Sequence, residues 1–289
     1  MFSIIIPTFN NLNYLKICLR SIKNNSNFDH EIIIYINEGA DGTLEYLKNN
    51  NYIFLYSKKN LGLCTAVNLA AKKANSNYIL YSHDDMYFCP GWDLALLKEL
   101  KDVSDNKYYF SGTMIEKNSG HIQFDAGTNS ETFNEEKLIN NFNKLNYIDY
   151  QGSHWAPHLI HKKMWDKIGG FSEEFNPGIG SDPDLNMKLW LNGVRIFKGI
   201  GAFKVYHFGS ISLRKKDNLK ANKGSITFLK KWKITPSFFI KHYLRGGEFI
   251  ENRIISKKYE GPLSLPIKNF SYFVDLIISK IKLLRTFLK

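Results

Sequence analysis

Short apolar runs alternate with amphipathic, helix-length segments through the first part of the chain. "SIII" (3–6), stopped by Pro7, reads as a buried strand. Leu15, Cys18, Leu19 and Ile22 then recur at i, i+3, i+4 and i+7, one buried face of a helix. "HEIIIYI" (30–36) predicts a second strand and "NEGADGT" a turn-rich loop; a helix over 43–49 leads to a third strand, "YIFLY" (52–56). The segment 61–75 predicts a helix with Ala66, Leu69, Ala70 and Ala74 as a close-packing face. "YILYS" (78–82) is the fourth strand. Strand and helix alternate with short connections, which predicts an α/β fold around a doubly wound, mostly parallel sheet.

The pattern then loosens. A helix over 91–101 and a strand near 108–115 precede a polar, weakly periodic stretch, 117–147, which reads as a variable insertion. "KKMWDKIGGF" (162–171) predicts a short helix ended by a glycine pair. In "NPGIGSDPDLNMKLWLNG" (176–193), Asp182 suits the N-cap, Pro183 the first helical position and Gly193 the stop. "RIFKG" and "AFKVYHF" read as two closing strands. The expected organisation is a catalytic-type domain over 1–212 and a basic, mainly helical region over 213–289, interrupted by "GPLSLP" (261–266).

In wound sheets of this kind, ligands bind at the carboxyl ends of the strands. Thr8 and Phe9, Asn37 and Glu38, and Asp84 and Asp85 all fall there. Adjacent aspartates straight after a buried strand repel each other and resist desolvation unless something positive sits beside them. A solvated turn would also tolerate them. "LGLCTAVN" (61–68) has one glycine, so a dinucleotide-binding fingerprint is excluded. Cys18, Cys64 and Cys89 lack metal-ligand spacing and read as reduced core thiols.

Three elements in order, "SIIIPTFN", "YILYSHDDMYFCPGW" and "GFSEEFNPGIGSDPD", resemble the inverting GT-A glycosyltransferases of family 2, which make bacterial polysaccharides and lipid-linked glycans. The resemblance covers roughly residues 1–210. It implies a GT-A nucleotide-diphospho-sugar transferase fold and a glycosyltransferase that moves a sugar from a nucleotide donor to a glycan or lipid-linked hydroxyl. On this resemblance Pro7, Thr8 and Phe9 line the nucleotide pocket with Asn37, Asp84 reaches the ribose, and Asp85 binds Mg²⁺ or Mn²⁺. His207 in "VYHFGS" touches the metal or the diphosphate, and Asp182 is the catalytic base. The dipole at a helix N-terminus would lower the Asp182 pKa and keep it ionised.

Some positions depart from the family pattern. The aspartate pair common after the second strand is Ile36 and Asn37 here, followed by Glu38, and Val67 stands where many relatives carry arginine. "Ser-Asp" (Ser181 and Asp182) replaces the usual "Glu-Asp", and Asp184 competes for the base role. "GSHWAPHLIH" places His154, Trp155, His158 and His161 near the expected acceptor side, with Asp184 a further acceptor suspect. A non-catalytic GT-A-like subunit that binds nucleotide-sugar or glycan is the alternative function.

Charge changes the picture only at the end of the chain. Residues 1–214 are neutral overall, so the whole net charge of +12 lies in 215–289. That asymmetry points to an anionic partner for the C-terminal region alone. "SYFVDLIISKIKLLRTFLK" (271–289) carries Asp275, Ser279, Lys282, Thr286 and Lys289 on one face and Phe273, Ile277, Ile281, Leu284 and Leu288 on the other. An interfacial helix on anionic lipid has this pattern; so does a helix packing its apolar stripe on the catalytic domain. No nucleic-acid reading motif is recognisable, so none is an expected partner. "MFSIIIPTFN" lacks a basic leader, and no uncharged run approaches the roughly 20 residues of a membrane span. The expected location is cytoplasmic, with peripheral attachment to the inner membrane.

Overall fold

A computed structural model describes residues 1–209, 223–251 and 253–288. The expected basic segment 213–222 and Lys289 lie outside the described residues. The strands are β1 (Ser3–Phe9), β2 (Glu31–Asn37), β3 (Ile53–Ser57), β4 (Tyr78–Tyr81), β5 (Met86–Phe88), β6 (Tyr108–Glu116), β7 (Ile122–Gln123), β8 (Tyr150–Gln151), β9 (His158–His161), β10 (Ile196–His207), β11 (Glu248–Ile250) and β12 (Arg253–Ile255). The helices are α1 (Leu12–Asn25), α2 (Thr43–Asn49), α3 (Leu63–Ala71), α4 (Trp92–Lys101), α5 (Glu135–Phe142), α6 (Lys162–Ile168), α7 (Ser181–Leu191), α8 (Gly224–Trp232), α9 (Pro236–Phe239) and α10 (Phe270–Arg285).

The main sheet runs β3-β2-β1-β4-β9-β6-β10-β5, with β7 on β6 and β8 on β10. β1 pairs in parallel with β2 and β4, β2 with β3, and β6 with β10; β9 and β5 enter antiparallel. The expected doubly wound sheet is therefore mixed in its second half. Leu15, Cys18, Leu19 and Ile22 bury the predicted face of α1, which packs on β5. Ala66, Ala70 and Ala74 are buried as expected, along with Val67, and let α3 lie close on β1 and β2.

Pro7 does not stop β1; the strand continues to Phe9. Pairing with β4 ends at Ile5↔Tyr81, while pairing with β2 continues through Pro7↔Tyr35 to Phe9↔Asn37. Beyond Ile5, β1 therefore has no β4 partner, and a residue without an N–H is tolerated there. The order in which strands are added reverses at this point, with β2 and β3 on one side of β1 and β4 on the other, all parallel. Such a switch point is where open α/β sheets bind ligands.

Other expectations shift. "RIFKG" and "AFKVYHF" form one strand, β10, with an irregularity between Gly199 and Lys204. The stretch 117–147 contains β7 and α5. Asp182 is not the N-cap of α7: Gly180 takes that position at φ 86°, and the helix begins at Ser181. A β-carbon on Gly180 would lie 2.9 Å from Gly224 Cα, so this glycine also allows α8 to approach α7.

The C-terminal elements lie on the catalytic layer. In the fully buried Asp184, Oδ1 accepts from Trp232 Nε1 at 2.8 Å and pairs with Lys231 Nζ at 2.8 Å. Its Oδ2 accepts from Ser172 Oγ at 2.6 Å. α8 is thereby bolted to α7. A strap follows, with Gln151 N–H donating to Lys257 O at 2.8 Å and Leu263 N–H to Arg195 O at 2.8 Å. α10 packs on α8 and α9, and Tyr272 and Ser279 are buried. Of the two readings of its apolar stripe, the structure leaves Ile277, Ile281, Leu284 and Leu288 exposed rather than packed on the catalytic domain.

Candidate active site

The turn after β4 carries the site. Ser82 N–H donates to Ile5 O at 3.1 Å, and Phe208 N–H donates to Asp85 O at 3.2 Å, so the turn is held between β1 and the end of β10. Cys18 Sγ of α1 reaches His83 O from below at 3.7 Å. Asp84 and Asp85 are both buried. His207 lies against the pair: its Nε2 is 3.5 Å from Asp85 Oδ1, and its Nδ1 meets Glu116 Oε1 at 2.5 Å. Burial opposes charge on this imidazole, but Asp85 and Glu116 outweigh it and push the pKa up to about 10.

His83 completes a cluster, with its Nδ1 3.9 Å from Asp85 Oδ1. One donor atom each from His83, Asp85 and His207 falls within 4.8 Å of the others. A carboxylate oxygen with two imidazole nitrogens suits a divalent transition metal, Mn²⁺ better than the oxygen-seeking Mg²⁺, and such a cation would take the place of the proton on His207 Nε2. The donor set thus fits the expected cation, and Glu116 fits the carboxylate that fixes a ligating histidine from behind. Sequence reasoning missed both His83 and Glu116. The adjacency of His83 to the aspartates was a usable signal; Glu116 offered none, because the register of β6 on β10 brings it to His207. Glu116→Gln should weaken Mn²⁺ binding about 10–100-fold and, by removing the partner of the buried His207, lower the melting temperature while keeping a cooperative transition. Titration of Mn²⁺ by calorimetry checks this.

Thr8 and Phe9 end β1 beside Ile36 and Asn37 of β2. Thr8 is buried, and among the described residues nothing hydrogen-bonds its Oγ1. Asn37 Oδ1 accepts from Leu61 N–H at 2.9 Å, which fixes the side chain's orientation at the end of β2. Asn10 Nδ2 donates to Glu38 Oε2 at 3.1 Å, closing the loops after β1 and β2 together. Val67 is wholly buried and offers nothing to a ligand.

Asp182 sits in the first turn of α7, half-buried, and among the described residues nothing hydrogen-bonds its Oδ1. The expected lowering of its pKa by the helix dipole is reversed: burial pushes the carboxyl up to about 7. Tyr81, at the end of β4, is raised by its own burial and then by Asp182, Asp85 and Asp84.

The histidine cluster separates. His158 lies in β9 inside the sheet, fully buried, with Nδ1 3.1 Å from Tyr109 Oη, and His161 caps α6. His154 and Trp155 remain half-buried in the loop before β9, ring centroids 4.0 Å apart, with Trp155 Nε1 3.5 Å from Tyr150 Oη. Asp184 is committed to Lys231, Trp232 and Ser172, and leaves the acceptor side.

The profile of glycosyl transferase family 2 matches residues 3–157, just over half of the chain. Chondroitin synthase of Pasteurella multocida (strain Pm70) is 28% identical over 228 residues, covering 76% of this chain and 22% of that protein. Chondroitin synthase of Escherichia coli is 28% identical over 229 residues, covering 76% of this chain and 31% of that protein. The chain thus spans well under half the length of these curated relatives. Among solved structures, S. aureus TarS 1–349 in complex with UDP-GlcNAc aligns with a TM-score of 0.57 at 16% identity, covering 83% of this chain and 65% of that one. GalNAc-T7 with UDP, GalNAc and Mn2+ aligns with a TM-score of 0.58 at 14% identity, covering 84% and 50%. These likenesses establish the GT-A fold, and the profile match establishes the enzyme class: the chain belongs to glycosyl transferase family 2.

Proposed function

We propose that the chain transfers a sugar, with inversion, from a uridine diphosphate donor to a hydroxyl of a growing or lipid-linked glycan in polysaccharide synthesis. The observation that carries this reading is the gathering of one donor atom each from Asp85, His83 and His207 within 4.8 Å of one another, in the turn after β4 and at the end of β10. The structures of similar fold that contain UDP or UDP-GlcNAc support the donor class.

Pro7, Thr8, Phe9 and Asn37 hold the base, and Asp84 reaches toward the ribose. Asp85, His83 and His207 would hold Mn²⁺, with Glu116 fixing the His207 ring. When bound, the cation neutralises charge that builds on the departing diphosphate. Asp182 accepts the proton of the attacking acceptor hydroxyl. Attack from the face opposite the leaving group inverts the anomeric carbon. Trp155 offers its ring to an acceptor sugar, with His154 stacked beside it.

A melting-temperature screen of nucleoside diphosphates with Mn²⁺ or with chelator tests the reading. UDP at about 100 times its Kd should stabilise the fold by roughly 2.7 kcal/mol, and chelator should remove most of the gain. No stabilisation by any nucleoside diphosphate, or equal stabilisation in chelator, would sink it.

A further inference from the structure

Helix α10 is amphipathic, but it is mounted the reverse way to an ordinary surface helix. The side carrying Tyr272, Asp275, Leu276 and Ser279 faces the protein, while Lys282 is exposed: Asp275 Oδ2 pairs with Lys241 Nζ at 2.7 Å and His242 Nε2 at 2.8 Å. Tyr272 packs edge-on against Phe238 with ring centroids 5.0 Å apart, and the buried Ser279 accepts from Thr235 N–H at 3.3 Å. Asn269 caps the start, accepting from Tyr272 N–H at 3.0 Å. These contacts fix the helix in orientation. They leave outward a stripe containing Phe273, Ile277, Ile281, Leu284 and Leu288, with Ile277 59% and Leu284 63% exposed. An unbroken apolar stripe of this length on a helix surface marks an interaction face.

The surrounding charge says what covers it. At about 100° per residue, Lys280 and Arg285 fall on opposite shoulders of the stripe, each roughly 60–80° from its centre line, and both are exposed. Residues 215–289 carry the entire net charge of +12. A second copy packed stripe to stripe would bring these cations against one another, whereas an anionic lipid surface meets the stripe with acyl chains and the shoulders with phosphate headgroups. Among the described residues no helix is long and apolar enough to cross a membrane, so this contact lies in the interface.

We propose that α10 is a preformed docking face for an anionic phospholipid bilayer, engaged by its outer stripe while its inner side stays bolted to α9. The helix need neither unfold nor swing out to bind, and it sinks about 5–10 Å into the headgroup region. Because α9 and α8 pack on α7, the docked face also fixes the orientation of the base-bearing helix relative to the bilayer. Lipid binding of this kind does not require the transfer chemistry, so the two stand or fall separately.

Flotation of the full chain with phosphatidylcholine vesicles, with and without about a third phosphatidylglycerol, tests the proposal. Wild type should float with the anionic vesicles and lose most of that binding as salt rises, without losing it all. Ile277→Asp/Leu284→Asp should reduce partitioning at least tenfold, and Lys280→Gln/Arg285→Gln about tenfold with a flatter salt dependence. Both variants should keep the wild-type melting temperature, since all four side chains point to solvent. Failure of wild type to float, or flotation of the aspartate variant equal to wild type, would overturn the proposal. So would a wild-type dimer in light scattering that Ile277→Asp/Leu284→Asp converts to monomer, because a second copy would then be the occupant.

Discussion

Replacing Asp85 with asparagine should abolish Mn²⁺-dependent binding of UDP and reduce sugar transfer by about 10²–10³-fold. Asp85 Oδ1 faces both imidazoles of the donor cluster, 3.9 Å from His83 Nδ1 and 3.5 Å from His207 Nε2. It is the one carboxylate oxygen among the three clustered donors. Asparagine keeps the shape in a position that is 2% exposed, so the backbone bond from Phe208 N–H to Asp85 O at 3.2 Å survives. The amide brings no negative charge to a cation. Loss in Mn²⁺ affinity should exceed the 10–100-fold expected when an outer carboxylate such as Glu116 is neutralised. Calorimetric titration of UDP with and without Mn²⁺ measures it, alongside a melting curve that shows the fold intact. A variant that binds UDP with wild-type Mn²⁺ dependence would remove Asp85 from the metal site and leave its pairing with His207 as a structural ion pair.

The part of this site that local sequence encodes was legible. Strands β1 to β4 are apolar runs with short connections, and Thr8, Asn37, Asp84 and Asp85 stand where those runs end. What escaped depends on distant partners. β9 was missed because "HLIH" has polar ends and is buried only by β4 and β6 on either side. Glu116 reaches His207 because the parallel register sets Ile115 beside Tyr206, a pairing that spans most of a hundred residues and leaves no local trace. For α10, periodicity separated two faces but did not say which one the protein would cover. Lys241, His242 and Thr235 decide that by meeting Asp275 and Ser279. Asp182 shows the same limit at a single side chain: its place near a helix start argued for a lowered pKa, while burial, set by the tertiary fold, takes it the other way.

That reversal leads to the expected behaviour of Asp182→Asn, which should lose nearly all transfer, keep UDP binding, and become more stable. The amide cannot take a proton from an acceptor hydroxyl, so the loss falls on kcat, by the 10²–10⁴-fold that a positioned base contributes. The nucleotide and metal residues are separate side chains, so the Kd for UDP with Mn²⁺ should hardly move. In the wild type, the folded-state carboxyl at about 7 lies above its unfolded value of 3.8. The folded protein therefore binds more protons than the unfolded chain between those values, and stability from this group is lost as pH rises through that window. Asparagine has no such cost, and a gain of about 1 kcal/mol should appear at neutral pH as roughly 2–4 °C in melting temperature, vanishing near pH 4. The same proton shapes wild-type activity: kcat/KM should climb about tenfold per pH unit below 7 and level above it, as the base becomes ionised. Turnover of Asp182→Asn within tenfold of wild type would move the base role off this residue. A variant that is inactive but less stable at neutral pH would show instead that its carboxylate chiefly supports the start of α7.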